Sequence, residues 1–206
     1  SIESIIDNGK LDINEVEVII VATITPDMMF PSTACLIQKH FGINNCWGFD
    51  LSGACSGFLF ALETGNNLIK SGQYKKIVVI GVDTMSSILD YEDRSTCILF
   101  GDGAGAVVLE PTEKYGITDT SLGIDGSGGE FLYMPGGGSL NKTNKNTVKQ
   151  KMHYVKQNGS LVFKSAIKGM YDVTKKIMDE NDIKREDIKL FIPHQANKRI
   201  IDSTVN

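Results

Sequence analysis

The run Val16–Thr25 (VEVIIVATIT) limits this chain more than any other stretch. It is nearly continuous in apolar, β-branched residues. A strand with one wet face alternates, whereas a strand covered on both faces does not, so the run predicts a strand inside a parallel-type sheet. Lys76–Asp83 (KIVVIGVD) has the same character and predicts a second such strand.

Between them the punctuation is regular. Pro26-Asp27 ends the first strand, Pro31 opens a helix at its first turn, and Gly42 closes it at the C-cap. Cys46–Phe49 reads as a strand, and a helix follows from Gly57 to about Ser71, with Gly72 at its end. Residues 16–83 therefore alternate strand, helix, strand, helix, strand, which implies right-handed crossovers and an α/β sheet with helices on its faces. Residues 1–15 read as a helix end and a polar loop. Gly101, Gly103 and Ala106 satisfy GxGxxA, but the segment runs on into Val107–Glu110, another strand, where a dinucleotide fingerprint must open a helix. A Rossmann site is therefore rejected, and the glycines are read as allowing close strand packing or approach to a site.

The character changes near Pro111–Tyr115, which divides the chain into an N-terminal half, 1–114, and a C-terminal half, 115–206. The second half predicts a strand near 116–122, long Gly-, Asn- and Lys-rich surface loops over 125–158, a one-faced helix over 161–180, and a short buried strand at 188–192. Gly136-Gly137-Gly138 has no helix after it and reads as a loop rather than a phosphate cradle. In outline the second half repeats the first.

The chemistry concentrates where a predicted strand meets a predicted helix, at Asp50-Leu51-Ser52-Gly53-Ala54-Cys55-Ser56-Gly57. A thiol there faces unpaired backbone N–H groups and the positive end of a helix dipole, which favours thiolate and offers donors to an oxyanion. A small core cysteine beside a turn is the plainer reading of the same residues. His194, after Pro193 at the end of the last predicted strand, could serve as base to a thiol or donate to a carbonyl on which charge develops; a surface histidine fits as well. His40 and His153 read as ordinary surface residues.

Composition narrows the remaining classes. The chain has 206 residues, 41% hydrophobic and 22% charged, as soluble globular domains do. No run approaches a membrane span, and no signal-peptide pattern opens the sequence. A net charge of −4 argues against nucleic acid. Cys35, Cys46, Cys55 and Cys97 show neither zinc spacing nor a disulfide framework, which fits a reducing cytosol and no metal.

Five segments together resemble β-ketoacyl-acyl-carrier-protein synthase III, a condensing enzyme family of the thiolase-like superfamily. They are ATITPDMMFPS (22–32), FDLSGACSGF (49–58), DRSTCILFGDGAGAVVLE (93–110), DGSGGE (125–130) and PHQANKRII (193–201). The resemblance implies a thiolase-like fold of two related α/β halves with mostly parallel buried sheets covered by helices. It implies decarboxylative condensation of a short acyl-coenzyme A, acetyl by expectation, with malonyl-acyl carrier protein, which starts fatty acid synthesis.

By the same resemblance Cys55 is the acyl-accepting nucleophile, His194 polarises the malonyl thioester carbonyl, and Asn197 supports it. Phe30 shapes the acyl pocket across a homodimer interface. Arg94 packs on the coenzyme A adenine, and Lys164 and Arg199 receive the acidic carrier protein; for these two a solvated charge reads equally well. Coenzyme A enters as a substrate, with no resident cofactor, in a cytoplasmic enzyme. The family also has an N-terminal stretch before this point and a Gly-Asn-Thr motif whose asparagine is the third catalytic group. Neither is in this sequence, so the expectation is a fragment lacking both ends and inactive alone. The rival expectations are a sister condensing enzyme of secondary metabolism and a non-catalytic truncated module.

Overall fold

In the computed structural model, which describes residues 1–9 and 11–205, the chain forms two compact units. The first comprises Ser1–Thr84 with Asp102–Thr118, and the second Met85–Gly101 with Asp119–Asn206.

The first unit is built on the two apolar runs. Strand β1 (Val18–Ala22) has all five residues buried and lies between β2 (Trp47–Leu51) and β3 (Ile77–Asp83), parallel to both. Val18 sits opposite Trp47 on one side and Ile77 on the other. Strand β4 (Gly103–Leu109) completes the order β2-β1-β3-β4 and runs antiparallel to β3.

The strand period of two sorts β1 and β3 onto both faces. Ile19, Val21, Val78 and Ile80 face a core that includes Ile2, Leu11 and Ala34; Val18, Ile20, Ile77 and Val79 face Ala61. The first core receives α1 (Ile2–Asp7) and α2 (Thr33–Phe41), the second α3 (Gly57–Lys70). Helices on opposite faces are what two crossovers of one hand require when the chain moves from β1 to β2 and then back past β1 to β3. Each fully buried Val or Ile contributes roughly 1.5–3 kcal/mol of transfer free energy, so the central strand is the unit's largest local source of stability.

Of the predicted ends of α2, Gly42 holds, whereas Pro31 lies before the cap rather than in the first turn. Ser32 caps α2 by accepting from the Cys35 N–H at 3.3 Å, and Gly42 follows with φ 65°, the left-handed cap that suits glycine. The segment after Gly101 is a strand and not a helix, as its sequence indicates. Its glycines differ from expectation. Nothing lies within 4 Å of where a Cβ would stand on Gly103 or Gly105, so close packing does not explain them.

In the second unit α5 (Gly159–Glu180) matches the predicted helix, with Phe163, Ile167, Met170, Thr174 and Ile177 forming a half-buried stripe. Asn158 caps it, accepting from the Leu161 N–H at 3.3 Å. Helix α6 (Lys198–Val205) packs against α5. The supposed loop region holds more structure than its composition suggests: α4 (Lys145–Lys149), and β5 (Leu132–Tyr133) paired antiparallel with β6 (Lys156–Gln157).

Two predicted strands are absent. Residues 116–122 and 188–192 form no ladder, and Leu190 and Ile192 are 74% and 78% exposed. A strand exists only where a neighbour accepts its hydrogen bonds, and none of the described residues supplies one to either run. The parallel sheet is therefore confined to the first unit; the second unit's only ladder among the described residues is antiparallel.

Candidate active site

The β2–α3 connection is a tight turn. Ala54 has φ 45°, a left-handed conformation that costs an L-residue free energy and tends to persist where function requires it. Ala54–Ser56 form a single 3-10 turn before α3 begins. A Cβ on Gly53 would come within 2.8 Å of the Gly57 Cα and 2.9 Å of the Phe60 ring, and one on Gly57 would meet the Ala22 Cβ at 3.4 Å. Glycine at 53 thus lets the turn close. This geometry presents Cys55, which is exposed, at the carboxyl edge of the parallel strands, the edge at which open α/β sheets keep their sites.

The thiol is not activated in the manner its position suggests. Burial of the sulfur among neighbouring atoms pushes the Cys55 thiol up, its own backbone N–H opposes this, and the negative charge of Asp83 pushes it up further. The helix-start effect predicted from sequence is outweighed by desolvation.

Two aspartates that the sequence reading passed over organise the same edge. At β2, the Asp50 carboxylate accepts from the N–H of Thr33 at 2.7 Å and of Ala34 at 2.9 Å. At the end of β3, Asp83 Oδ1 accepts from Thr23, Ile24 and Thr25. A signal was present, because each is an acidic residue ending an apolar strand run. A cleft of about 490 Å³ opens beside them, lined by residues that include Thr23, Ile24, Met28, Asp50 and Ser52. Phe30, 84% exposed, stands on the loop leading away from β1 with Met29 at 89%.

The other predicted residues belong to the second unit. His194 is exposed, and its carbonyl accepts from the Ala196 N–H at 2.9 Å. Asn197 Oδ1 accepts from the Ile200 N–H at 3.0 Å, so its oxygen caps α6. The Arg199 guanidinium lies 5.3 Å from the centroid of the Phe163 ring, one residue before the exposed Lys164. Arg94 is exposed in a turn held by Asp93, whose carboxylate accepts from the Ser95 N–H and hydroxyl and from Thr96. The structure thus places Cys55 and Phe30 in one unit and His194, Asn197, Arg94, Lys164 and Arg199 in the other.

Of the two histidines read as surface residues, His40 is exposed as expected and His153 departs from that reading. His40 Nε2 lies 3.7 Å from Glu3. His153 is half-buried against Tyr154, with a buried Nδ1 that has no partner among the described residues.

Comparison with known proteins places the chain among relatives. Residues 49–126, which include the cysteine turn, match the family described as 3-oxoacyl-[acyl-carrier-protein] synthase III. Over 200 residues the chain is 57% identical to the β-ketoacyl-[acyl-carrier-protein] synthase III of Koribacter versatilis, covering 96% of this chain and 60% of that protein. The chain belongs to this family. Its fold is thiolase-like. The synthase III structure from Aquifex aeolicus superposes with a TM-score of 0.85 at 39% identity, over 97% of this chain and 60% of that one. The Thermus thermophilus synthase III gives 0.85 at 36% identity, over 98% and 62%. The chain therefore spans about three fifths of the length of the synthase III relatives it matches.

Proposed function

We propose that this chain carries the acyl-transfer nucleophile of a decarboxylative condensing enzyme that joins a short acyl-coenzyme A, acetyl by preference, to malonyl-acyl carrier protein and so initiates fatty acid synthesis. The observation that supports this most is the Cys55 turn, an exposed cysteine beyond a parallel strand on backbone held in a left-handed conformation at Ala54.

In the first stage the Cys55 sulfur attacks the thioester carbonyl. The carbonyl oxygen gains the electron pair and is held by the Cys55 N–H. Collapse of the tetrahedral adduct expels the coenzyme A thiolate, which takes up the thiol's proton. A thiol pushed upward by burial retains strong nucleophilicity once ionised, since thiolate reactivity falls as pKa falls. In the second stage malonyl-carrier protein loses carbon dioxide. The electron pair of the breaking carbon–carbon bond becomes an enolate, and His194 donates a hydrogen bond to its oxygen. The enolate carbon then attacks the acyl-cysteine carbonyl, the Cys55 thiolate leaves, and a proton from solvent restores the thiol. A neutral donor suits this task because the charge appears only as the reaction proceeds. The second donor assigned by the resemblance, a Gly-Asn-Thr asparagine, is not in this sequence. Every electron pair stays within the substrates and the cysteine, so the scheme calls for no metal or redox cofactor.

The same reading makes Phe30 a contact across a homodimer, Arg94 a coenzyme A contact, and Lys164 and Arg199 docking residues for an acidic carrier protein, with Asn197 placing His194 through the start of α6. It also places the enzyme in the cytoplasm; no helix among the described residues is long and apolar enough to cross a membrane. Incubation with radiolabelled acetyl-coenzyme A tests the first stage. Label should rest on Cys55 and vanish in Cys55→Ala. Label on Cys35, Cys46 or Cys97 would remove the basis of the reading.

A further inference from the structure

Asp83 ends β3 at the same carboxyl edge as the Cys55 turn, and its single oxygen Oδ1 accepts four hydrogen bonds. The donors are the Thr23 hydroxyl at 3.1 Å, the Ile24 N–H at 2.8 Å, the Thr25 N–H at 3.2 Å and the Thr25 hydroxyl at 2.9 Å. Thr25 Oγ1 accepts in turn from the Thr84 N–H at 2.7 Å. The anchored segment also touches the strand that delivers the nucleophile, for the Thr23 N–H donates to the Leu51 carbonyl at 3.1 Å. Leu51 ends β2 and lies four residues before Cys55. One carboxylate therefore fixes the exit of β1 against both its neighbours. Bonds to a charged acceptor are stronger than neutral ones, and this segment forms part of the wall of the 490 Å³ cleft through Thr23, Ile24 and Pro26.

A turn can be satisfied by a neutral side chain, as Ser32 and Asn158 show elsewhere in this chain. Placing a full negative charge at this edge has a further effect, since that charge is felt at the Cys55 sulfur. The other acidic groups on elements packed around the turn are otherwise engaged. On β2, Asp50 holds the start of α2; on α3, Glu63 accepts from Asn66 and Asn67.

We propose that Asp83 is a positioning residue for acyl transfer to Cys55, holding the Thr23–Thr25 segment against the end of β2 and setting a fixed negative charge beside the nucleophile's turn. The kinetic part rests on the condensing reading given above, whereas the thiol readout does not. The fixed charge favours the neutral thiol.

The test compares Asp83→Asn, Asp83→Glu and Thr25→Val with the parent chain. The pH profile of Cys55 alkylation by iodoacetamide is read peptide by peptide, and acetyl transfer from acetyl-coenzyme A is read alongside it. In Asp83→Asn the alkylation midpoint should fall by up to about one pH unit. Acetyl transfer should slow in kcat by about ten- to a hundredfold with KM little changed. Thr25→Val should slow transfer while leaving the midpoint in place, and Asp83→Glu should retain the midpoint. An unmoved or raised midpoint in a folded Asp83→Asn overturns the proposal, as does a normal transfer rate in that variant. If the parent chain transfers no acetyl group yet the Asp83→Asn midpoint still falls, the condensing reading fails and the place of Asp83 beside the thiol stands.

Discussion

Asp50 and Thr33 lie seventeen residues apart and meet at 2.7 Å, where the strand carboxylate takes the helix N–H; its other oxygen takes the N–H of Ala34 at 2.9 Å. The two N–H groups are among those a helix start leaves unpaired, so β2 supplies the cap of α2 from across the sheet. Loss of a charged acceptor from partly buried donors costs about 1–3 kcal/mol, against about 1 kcal/mol for a local cap such as Ser32. Asp50→Ala should lower the urea midpoint of the first unit more than Ser32→Ala does. Equal effects would show that the cross-sheet cap adds nothing.

Gly53 supplies space and Gly42 supplies a dihedral angle, and alanine separates the two. Gly53→Ala drives a methyl to 2.8 Å from backbone at Gly57 and 2.9 Å from the Phe60 ring; overpacking of that kind costs about 1–3 kcal/mol. Gly42→Ala meets open space and bears only the left-handed penalty, about 1–2 kcal/mol. Both variants should lose stability in denaturant, but only Gly53→Ala should alter the rate of Cys55 alkylation. Unchanged alkylation in Gly53→Ala would mean the turn can absorb the methyl.

His194 is assigned to the second chemical stage alone. His194→Ala should leave acetyl transfer to Cys55 nearly intact and slow malonyl decarboxylation and condensation by on the order of 10²–10³, the usual loss for one preorganised donor. Loss of acetylation with decarboxylation retained would make His194 the base for the thiol instead. Separate assays of the two half-reactions decide this.

The acid limb of stability should report Lys151. Its ammonium meets Asp90 at 2.9 Å and also Glu92. Its hydrogen bond holds the Asp90 carboxyl below the ordinary value of 3.8, helped by the Glu92 N–H. A group depressed on folding stabilises above its unfolded value and loses that contribution as pH falls through its folded value. Stability of the second unit should therefore hold from neutral pH to about 4 and then decline. Lys151→Met should flatten that decline, as followed by thermal unfolding between about pH 3 and 6. An identical acid limb in the variant would show that the Lys151–Asp90 pair contributes nothing to it.

The sequence by itself determined the first unit's sheet and the turn that carries Cys55. Val18–Ala22 and Ile77–Ile80 are apolar at every position, and only a strand covered on both faces buries every residue of such a run. Gly53 precedes Cys55 where the turn has no room for a Cβ. Each of these is a local constraint, written in consecutive residues. The tertiary structure decided what depends on partners distant in the chain. Residues 188–192 read as a strand yet form none, since an apolar pattern cannot by itself provide the neighbouring strand that a ladder needs. The Cys55 thiol is raised although its helix-start position argues for lowering, because burial and Asp83, twenty-eight residues on, outweigh the hydrogen bond from its own backbone N–H. Asp50 and Asp83 looked like ordinary strand-ending acids until folding brought Thr33, Thr23 and Thr25 to them. A carboxylate's role is fixed by the donors that reach it, and those donors are chosen by the fold.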